Sequence, residues 1–181
     1  MMIVNKASYA LLALTGFLSL SPASVKAADV VPSLYDVQDI SVNLARLGNE
    51  TASTNCGVFR RKVSDQTLSF LLKDGLPARS SMAEHVKDKN KVSVNLIPEV
   101  TTIQPSNKRC LSWVSFSVQS HNAINLPPTK YHRELRLNYW NGGLLVSTSQ
   151  HSHHRGIKEA INKLTGQLAR QYSADQPPKL K

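Results

Sequence analysis

Residues 135–149 read LRLNYWNGGLLVSTS. Apolar and polar side chains alternate on both sides of Asn141-Gly142, and this period of two is typical of a strand that buries one face. Asn-Gly between two such runs is the strongest short-range signal for a two-residue hairpin turn. The stretch therefore predicts two antiparallel strands, over 135–139 and 144–149, joined by a turn at Asn141-Gly142.

A helical pattern follows this stretch. Ile157, Ile161, Leu164, Leu168 and Tyr172 recur at intervals of three or four residues, which places one apolar stripe along an amphipathic helix. The same reasoning applied upstream predicts strands over 37–45, 92–96 and 111–119, a short strand near 75–78, a helix over 58–74 and polar loops over 48–57 and 122–130. Pro98 is expected to end the strand that begins at residue 92.

Alternating strands and a striped helix each leave an apolar face that needs a partner layer. One sheet with both helices on its apolar face meets both needs. We therefore predict an α/β (α+β) two-layer sandwich, with a mixed, mostly antiparallel sheet of about five strands and two helices on one face. The chain has no internal repeat and no linker long enough to divide it.

The N-terminus has the pattern of a secretory signal peptide. Lys6 precedes an apolar run over 9–20, and the small-residue stretch SPASVKA follows, with Val25 and Ala27 at the −3 and −1 positions of a cleavage site. The apolar run is too short to span a bilayer. We predict a signal peptide over 1–27 and one domain over 28–181 with a polar tail from about 173, and a periplasmic or secreted location.

Cys56 and Cys110 are the two cysteines of the chain. An isolated pair in an exported protein usually forms one disulfide, and no C-x-x-C motif favours a redox pair or a metal thiolate site. The bridge would close a loop of about 55 residues, which the chain-entropy model values at about 4 kcal/mol.

The mature chain is basic. Twenty of the 22 basic residues and all 12 acidic residues follow residue 27, which gives a net charge of +8. Such a charge attracts anionic partners, although the basic residues are scattered and 60–62 form the only run of three. We expect a protein or an anionic envelope component as partner, no nucleic acid and no transmembrane segment. The simpler interpretation of the charge is a cationic surface that is only solvated.

Three histidines cluster in SQHSHHRG, residues 149–156. His151, His153 and His154 could bind Zn or Cu, because neutral imidazoles are good ligands for both metals. They could instead handle protons in a reaction, or be part of an exposed polar joint between strand and helix. No acidic residue or cysteine nearby would complete a ligand set, so we favour the polar joint and expect no cofactor. No catalytic motif is present, and we expect no enzyme.

The run LRLNYWNGGLLVSTSQ…IKEAINKLTGQLARQYSADQPP resembles a group of uncharacterised bacterial exported proteins, and ISVNLARL, GLPA and VSVNLIP fit the same plan. The chain is also similar to the α/β domain of ABC-transport auxiliary lipoproteins and to the N-terminal domain of TolB-like periplasmic proteins, without the lipidated cysteine of the lipoproteins. The resemblance implies a non-enzymatic periplasmic or secreted binding or accessory module of the bacterial envelope. The alternative is a small His-dependent transition-metal-binding protein.

Overall fold

The computed structural model describes residues 34–82, 92–105, 108–125 and 132–176, and within these the side chains of all but 121–136. The predicted signal peptide lies outside the described residues. The elements run in the order β1 Val37–Val42, β2 Arg46–Leu47, α1 Glu50–Asn55, α2 Arg60–Lys73, β3 Ala78–Ser80, β4 Val92–Ile103, β5 Arg109–Asn125, β6 His132–Ser149, a 3-10 turn Gln150–Ser152 and α3 His153–Asp175.

The strands form one six-stranded sheet in the order β3-β1-β4-β5-β6, with β2 paired to β4 beyond the end of β1. β1 pairs in parallel with β3 and β4, and β2 pairs in parallel with β4. The long β4–β5 and β5–β6 pairs are antiparallel and contain most of the paired residues. The two-layer α+β sandwich is therefore confirmed, with six strands and three α-helices in the described part of the chain.

Both long helices belong to one layer, because α2 and α3 pack against each other. α3 lies on β5 and β6, and α2 contacts β1 and β4. The predicted stripe of α3 is confirmed: its four aliphatic residues are buried and Tyr172 packs against the core. Alternate residues of β4 and β5 supply the sheet's share of this core, namely Val94, Leu96, Val100, Val114, Phe116 and Val118.

The predicted turn at Asn141-Gly142 is wrong. β6 is one strand that pairs with β5 through this point, with Gly142 opposite Phe116 and Gly143 opposite Ser115. Neither glycine has a positive φ, which a type I′ turn would require. β5 continues to Asn125 and β6 begins at His132, so the first four residues of the loop predicted over 122–130 belong to β5, and the rest of that loop lies outside the described residues.

The expectation that Pro98 ends its strand is also wrong, since β4 continues to Ile103. The carbonyls of Leu96 and Val100 accept hydrogen bonds from Asn43 and Gly48, on the side of β1 and β2. Pro98 lies midway between Leu96 and Val100 and directs its ring nitrogen to the same side. At this point of β4 the pairing with β1 has ended and the pairing with β2 has not yet begun. A missing N–H is tolerated where no neighbouring strand needs it.

The helix predicted over 58–74 is α2 and begins at Arg60, and the stretch predicted as a polar loop over 48–57 contains α1. The Asn49 side chain caps α1 by accepting a hydrogen bond from the N–H of Ala52 at 3.0 Å. Asparagine is a favoured N-cap residue because its side chain satisfies one of the unpaired amides of the first turn. The polar composition of 48–57 therefore includes a capping signal.

The C-terminal end of α3 is attached to the start of the domain. The Tyr172 hydroxyl donates to the carbonyl of Val37 at 2.9 Å, and the N–H of Leu34 donates to the carboxylate of Asp175, also at 2.9 Å. The helix extends through Asp175, so the first residues of the predicted tail are helical. No helix in the described ranges is both long and apolar enough to cross a membrane.

Candidate functional site

The structure places the three clustered histidines in different environments. His153 is the first residue of α3 and is completely buried, whereas His151 and His154 are exposed. The described residues contain no group of three or more His, Cys, Asp or Glu side chains that could hold a metal ion. Metal binding by His151, His153 and His154 stays a prediction. The expectation that these histidines form an exposed polar connection between strand and helix is met by His151 and His154 but not by the buried His153.

Both ring nitrogens of His153 lie within hydrogen-bonding distance of hydroxyl groups. Nε2 is 2.7 Å from Oγ of Ser112, and Nδ1 is 2.8 Å from Oγ1 of Thr148. Ser112 in turn lies 2.8 Å from Oγ1 of Thr102. We call these four residues the hydroxyl–imidazole cluster. A buried polar side chain is stable only when it is hydrogen-bonded, and this cluster satisfies that condition for the imidazole.

Burial lowers the pKa of His153 below its ordinary value of 6.5, because desolvation disfavours the imidazolium ion. Its two direct hydrogen-bonding partners are neutral hydroxyls, so no carboxylate bonded to the ring offsets this effect. His153 is therefore neutral near pH 7, which also suits its position at a helix N-terminus.

A serine hydroxyl next to an imidazole is the pairing found in nucleophilic catalysis, so its surroundings decide what it can do. Ser112 and His153 are both fully buried, and the second nitrogen of the ring meets the Thr148 hydroxyl rather than a carboxylate. Among the described residues, the pair is thus shielded from solvent, and its ring is not hydrogen-bonded to a charged group of the kind that stabilises an imidazolium ion in a catalytic triad.

Sequence reasoning missed Thr102, Ser112 and Thr148 as partners of His153. Thr102 and Ser112 occupy inward-facing positions of β4 and β5, in step with the buried Val100 and Val114. The signal that could have found them is a polar residue at a position where the alternation predicts an apolar one.

The predicted disulfide between Cys56 and Cys110 is confirmed, with a Cα–Cα distance of 6.1 Å. Both cysteines are buried, and the bridge joins the C-terminal end of α1 to the first residues of β5. Cys110 pairs across the sheet with Thr148. The disulfide and the hydroxyl–imidazole cluster therefore stabilise the same end of the sheet.

The outer surface of the helix layer is strongly basic. The exposed residues of α2 and α3 include eight basic side chains but only two acidic ones, Asp65 and Glu159. Arg60 makes a salt bridge with Glu50 of α1. A surface with this imbalance attracts anions.

A shallow groove crosses this basic layer, and we call it the helix groove. Its lining combines aromatic and charged side chains: Phe59, Arg61, Lys62, Asp65, Gln66, Ser69, Phe70 and Lys158. The Phe59 side chain is 50% exposed, and Arg61, Lys62 and Lys158 make no salt bridge within the described ranges. The groove thus offers unpaired positive charge beside an accessible aromatic ring.

The face of the sheet opposite the helices has a different character, and we call it the open face. Ile103, Trp113 and Leu145 are exposed there by 54%, 48% and 64%. Trp113 pairs directly with Leu145, and Ile103 lies diagonally next to Trp113 on β4. The neighbouring hollow on this face is lined by one charged residue, Glu99, among uncharged side chains.

Comparisons with known proteins show distant similarities. No protein-family model matches the chain, and no curated protein matches it significantly. Among solved structures, the chain is similar to a dodecamer of a PelC point variant from Paraburkholderia phytofirmans, with 13% identity, a TM-score of 0.46 and coverage of 71% of this chain and 87% of that chain.

Two further structures are similar at lower TM-scores. A putative neuraminyllactose-binding hemagglutinin homolog from Helicobacter pylori has 9% identity and a TM-score of 0.35, over 75% of this chain and 83% of its own. A minor lipoprotein from Acinetobacter baumannii has 13% identity and a TM-score of 0.32, over 77% of this chain and 94% of its own. Similarity at this level assigns neither a family nor a function.

Proposed function

We propose that this protein is an exported, non-enzymatic binding module of the bacterial envelope, and that the helix groove binds an anionic envelope component. The observation that carries the proposal is the group of Arg61, Lys62 and Lys158 around the exposed ring of Phe59. Clustered positive charge attracts anionic lipid headgroups by about 1 kcal/mol per Lys or Arg near the surface. An accessible aromatic ring adds apolar contact at the same place.

Export is supported by the signal pattern of residues 1–27 together with the disulfide, since disulfides persist in oxidising compartments. N-terminal sequencing of the protein from its native cells should begin at or near Ala28. An intact Met1 in the mature fraction would contradict export.

A non-enzymatic role is supported by the burial of the Ser112–His153 pair, the arrangement in the described residues that most resembles a nucleophile and its base. Reaction at Ser112 would first require α3 to separate from the sheet. We therefore assign the pair to stability rather than to chemistry.

Binding is tested by co-sedimentation of the oxidised protein with vesicles of phosphatidylethanolamine and phosphatidylglycerol, compared with phosphatidylcholine alone. We expect binding only to the anionic vesicles, and weaker binding as salt is added. The double variant Arg61→Glu, Lys158→Glu should lower the affinity at least roughly thirtyfold, since each charge contributes about 1 kcal/mol.

The matched control is Arg46→Glu, Arg109→Glu, which makes the same change in net charge at exposed residues outside the helix layer. This control should retain most of the binding. Equal losses in both double variants would show that net charge alone acts, and absence of binding to anionic vesicles would reject the lipid headgroup as the component.

A further inference from the structure

In the part of the chain that the structure describes, β6 is an edge of the sheet, because the strand order gives it a neighbour on one side only. A register shift opposite Val118 and Gln119 places a bulge near Tyr139. Beyond this bulge, residues 141–149 pair with β5 without interruption. We call residues 141–149 the edge segment.

The backbone groups of the edge segment alternate in direction. The N–H of Gln150 donates to the carbonyl of Lys108 on the β5 side. In an antiparallel pair every second residue directs both backbone groups to the partner strand, so the even-numbered residues of the edge segment face β5. The N–H and C=O groups of Asn141, Gly143, Leu145 and Ser147 consequently point away from the sheet.

Nothing in the side chains of this edge opposes pairing with another strand. Residues 137–149 contain no charged side chain and no proline, although the whole chain has a formal net charge of +10. Natural edge strands are usually protected by lysine, proline or inward-pointing charges, because unpaired backbone groups are a template for another strand. The edge segment lacks these protections over its whole length.

We infer that the edge segment pairs antiparallel with the edge segment of a second copy of this chain, which joins the two sheets across a twofold axis. An antiparallel edge is self-complementary, because each strand presents the same alternating donors and acceptors to its symmetry mate. The absence of charge over 137–149 lets two strongly basic chains approach along this line without bringing like charges together.

The exposed apolar side chains of the open face favour the same arrangement. Leu145 belongs to the edge segment and is 64% exposed, and its cross-strand neighbour is Trp113. Pairing of two edge segments places the two Leu145 side chains on the same face of the joined sheet. The exposed apolar side chains of the two open faces then form one continuous apolar strip, in which they partly shield one another from water.

The inference is independent of lipid binding, because the edge segment and the helix groove share no residue. It is tested by sedimentation equilibrium of the oxidised protein over a range of concentrations, which should give twice the mass of the chain. Leu145→Lys should lower this to the monomer mass, because a charge is placed beside its symmetry mate. Ile103→Lys is the matched control, since it puts lysine at an exposed position of the same face on an inner strand, and it should remain dimeric.

Two further measurements separate edge pairing from packing of the open faces. Ser147→Pro removes an outward N–H and should abolish the dimer while the circular dichroism spectrum is retained. Hydrogen exchange at the amides of Gly143, Leu145 and Ser147 should slow as protein concentration rises. A monomer at all concentrations, or a dimer that Ile103→Lys dissociates and Leu145→Lys leaves intact, would overturn the inference.

Discussion

The indole of Trp113 lies against Gly143 of the neighbouring strand, so closely that a Cβ atom at residue 143 would overlap ring atom Cζ2. On the other face of the sheet, Trp140 occupies the space that a Cβ atom at Gly142 would need. Because neither glycine has a side chain, one indole packs against the backbone of the extended strand on each face of the sheet. A glycine in a strand interior often marks such a close approach.

The first prediction concerns Gly142. Trp140 packs against the core, so Gly142→Ala must displace a half-buried ring, and we expect the free energy of unfolding to fall by about 1 kcal/mol or more. The control is Gly166→Ala in α3, where the nearest atom to the new Cβ lies 3.9 Å away and where alanine should stabilise the helix by up to about 1 kcal/mol. Chemical denaturation measures both. Equal midpoints for Gly142→Ala and the parent would show that Trp140 moves freely.

These glycines also show where sequence reasoning fails. Asn141-Gly142 satisfies the local requirements of a hairpin turn, yet a straight strand under a tryptophan needs glycine as well. What decides between the two is the pairing of Gly142 with Phe116 of β5, a residue that is distant in the chain. The apolar stripe of α3 could be predicted because its cause is local periodicity, and the disulfide could be predicted because only two cysteines were present.

The continuation of β4 through Pro98 and the partners of His153 could not be predicted for a related reason. A proline is compatible with a strand only where the neighbouring strand leaves a gap, and that gap is created by the boundary between β1 and β2. His153 is adjacent in sequence to exposed residues, and its burial depends on hydroxyls of β4, β5 and β6. Both outcomes depend on contacts between distant segments.

The second prediction is a pH dependence of stability that is specific to His153. Its folded pKa is lowered from 6.5 by burial, so between the folded and unfolded pKa values the unfolded state binds more protons. The free energy of unfolding should therefore fall as pH decreases below about 6.5, and this contribution is fully present at higher pH. Urea denaturation across that range measures the effect.

The control for this prediction is His153→Asn, which retains every other titratable group and hydrogen-bonding capacity at the same place. The variant should be less stable than the parent at pH 7.5, a value chosen to lie about one unit above the ordinary histidine pKa. The difference between the two proteins should shrink as the pH falls. A constant difference would show that His153 can be protonated without loss of its contacts.

The third prediction concerns the disulfide. Cys56 and Cys110 are separated by 54 residues, and the chain-entropy model gives about 4 kcal/mol for a loop of this size. The double variant Cys56→Ala, Cys110→Ala should lose about that much free energy of unfolding, as should the reduced parent. Thermal unfolding with and without reductant measures this, and identical transitions would contradict a stabilising role.

The fourth prediction concerns metal binding by the clustered histidines. His153 already has hydroxyl groups close to both ring nitrogens, so it cannot ligate a metal without losing a buried hydrogen bond. That leaves two exposed side chains, His151 and His154, and a tight site normally has more ligands and a supporting outer shell. We expect isothermal titration with Zn²⁺ or Cu²⁺ to show no stoichiometric binding tighter than micromolar.

The double variant His151→Ala, His154→Ala is the informative comparison, because it leaves the buried His153 and hence the fold unchanged, and it should behave like the parent. A one-to-one complex that weakens below about pH 6.5, where imidazole becomes protonated, and that disappears in the double variant would instead establish the metal site and show that the three histidines rearrange to form it.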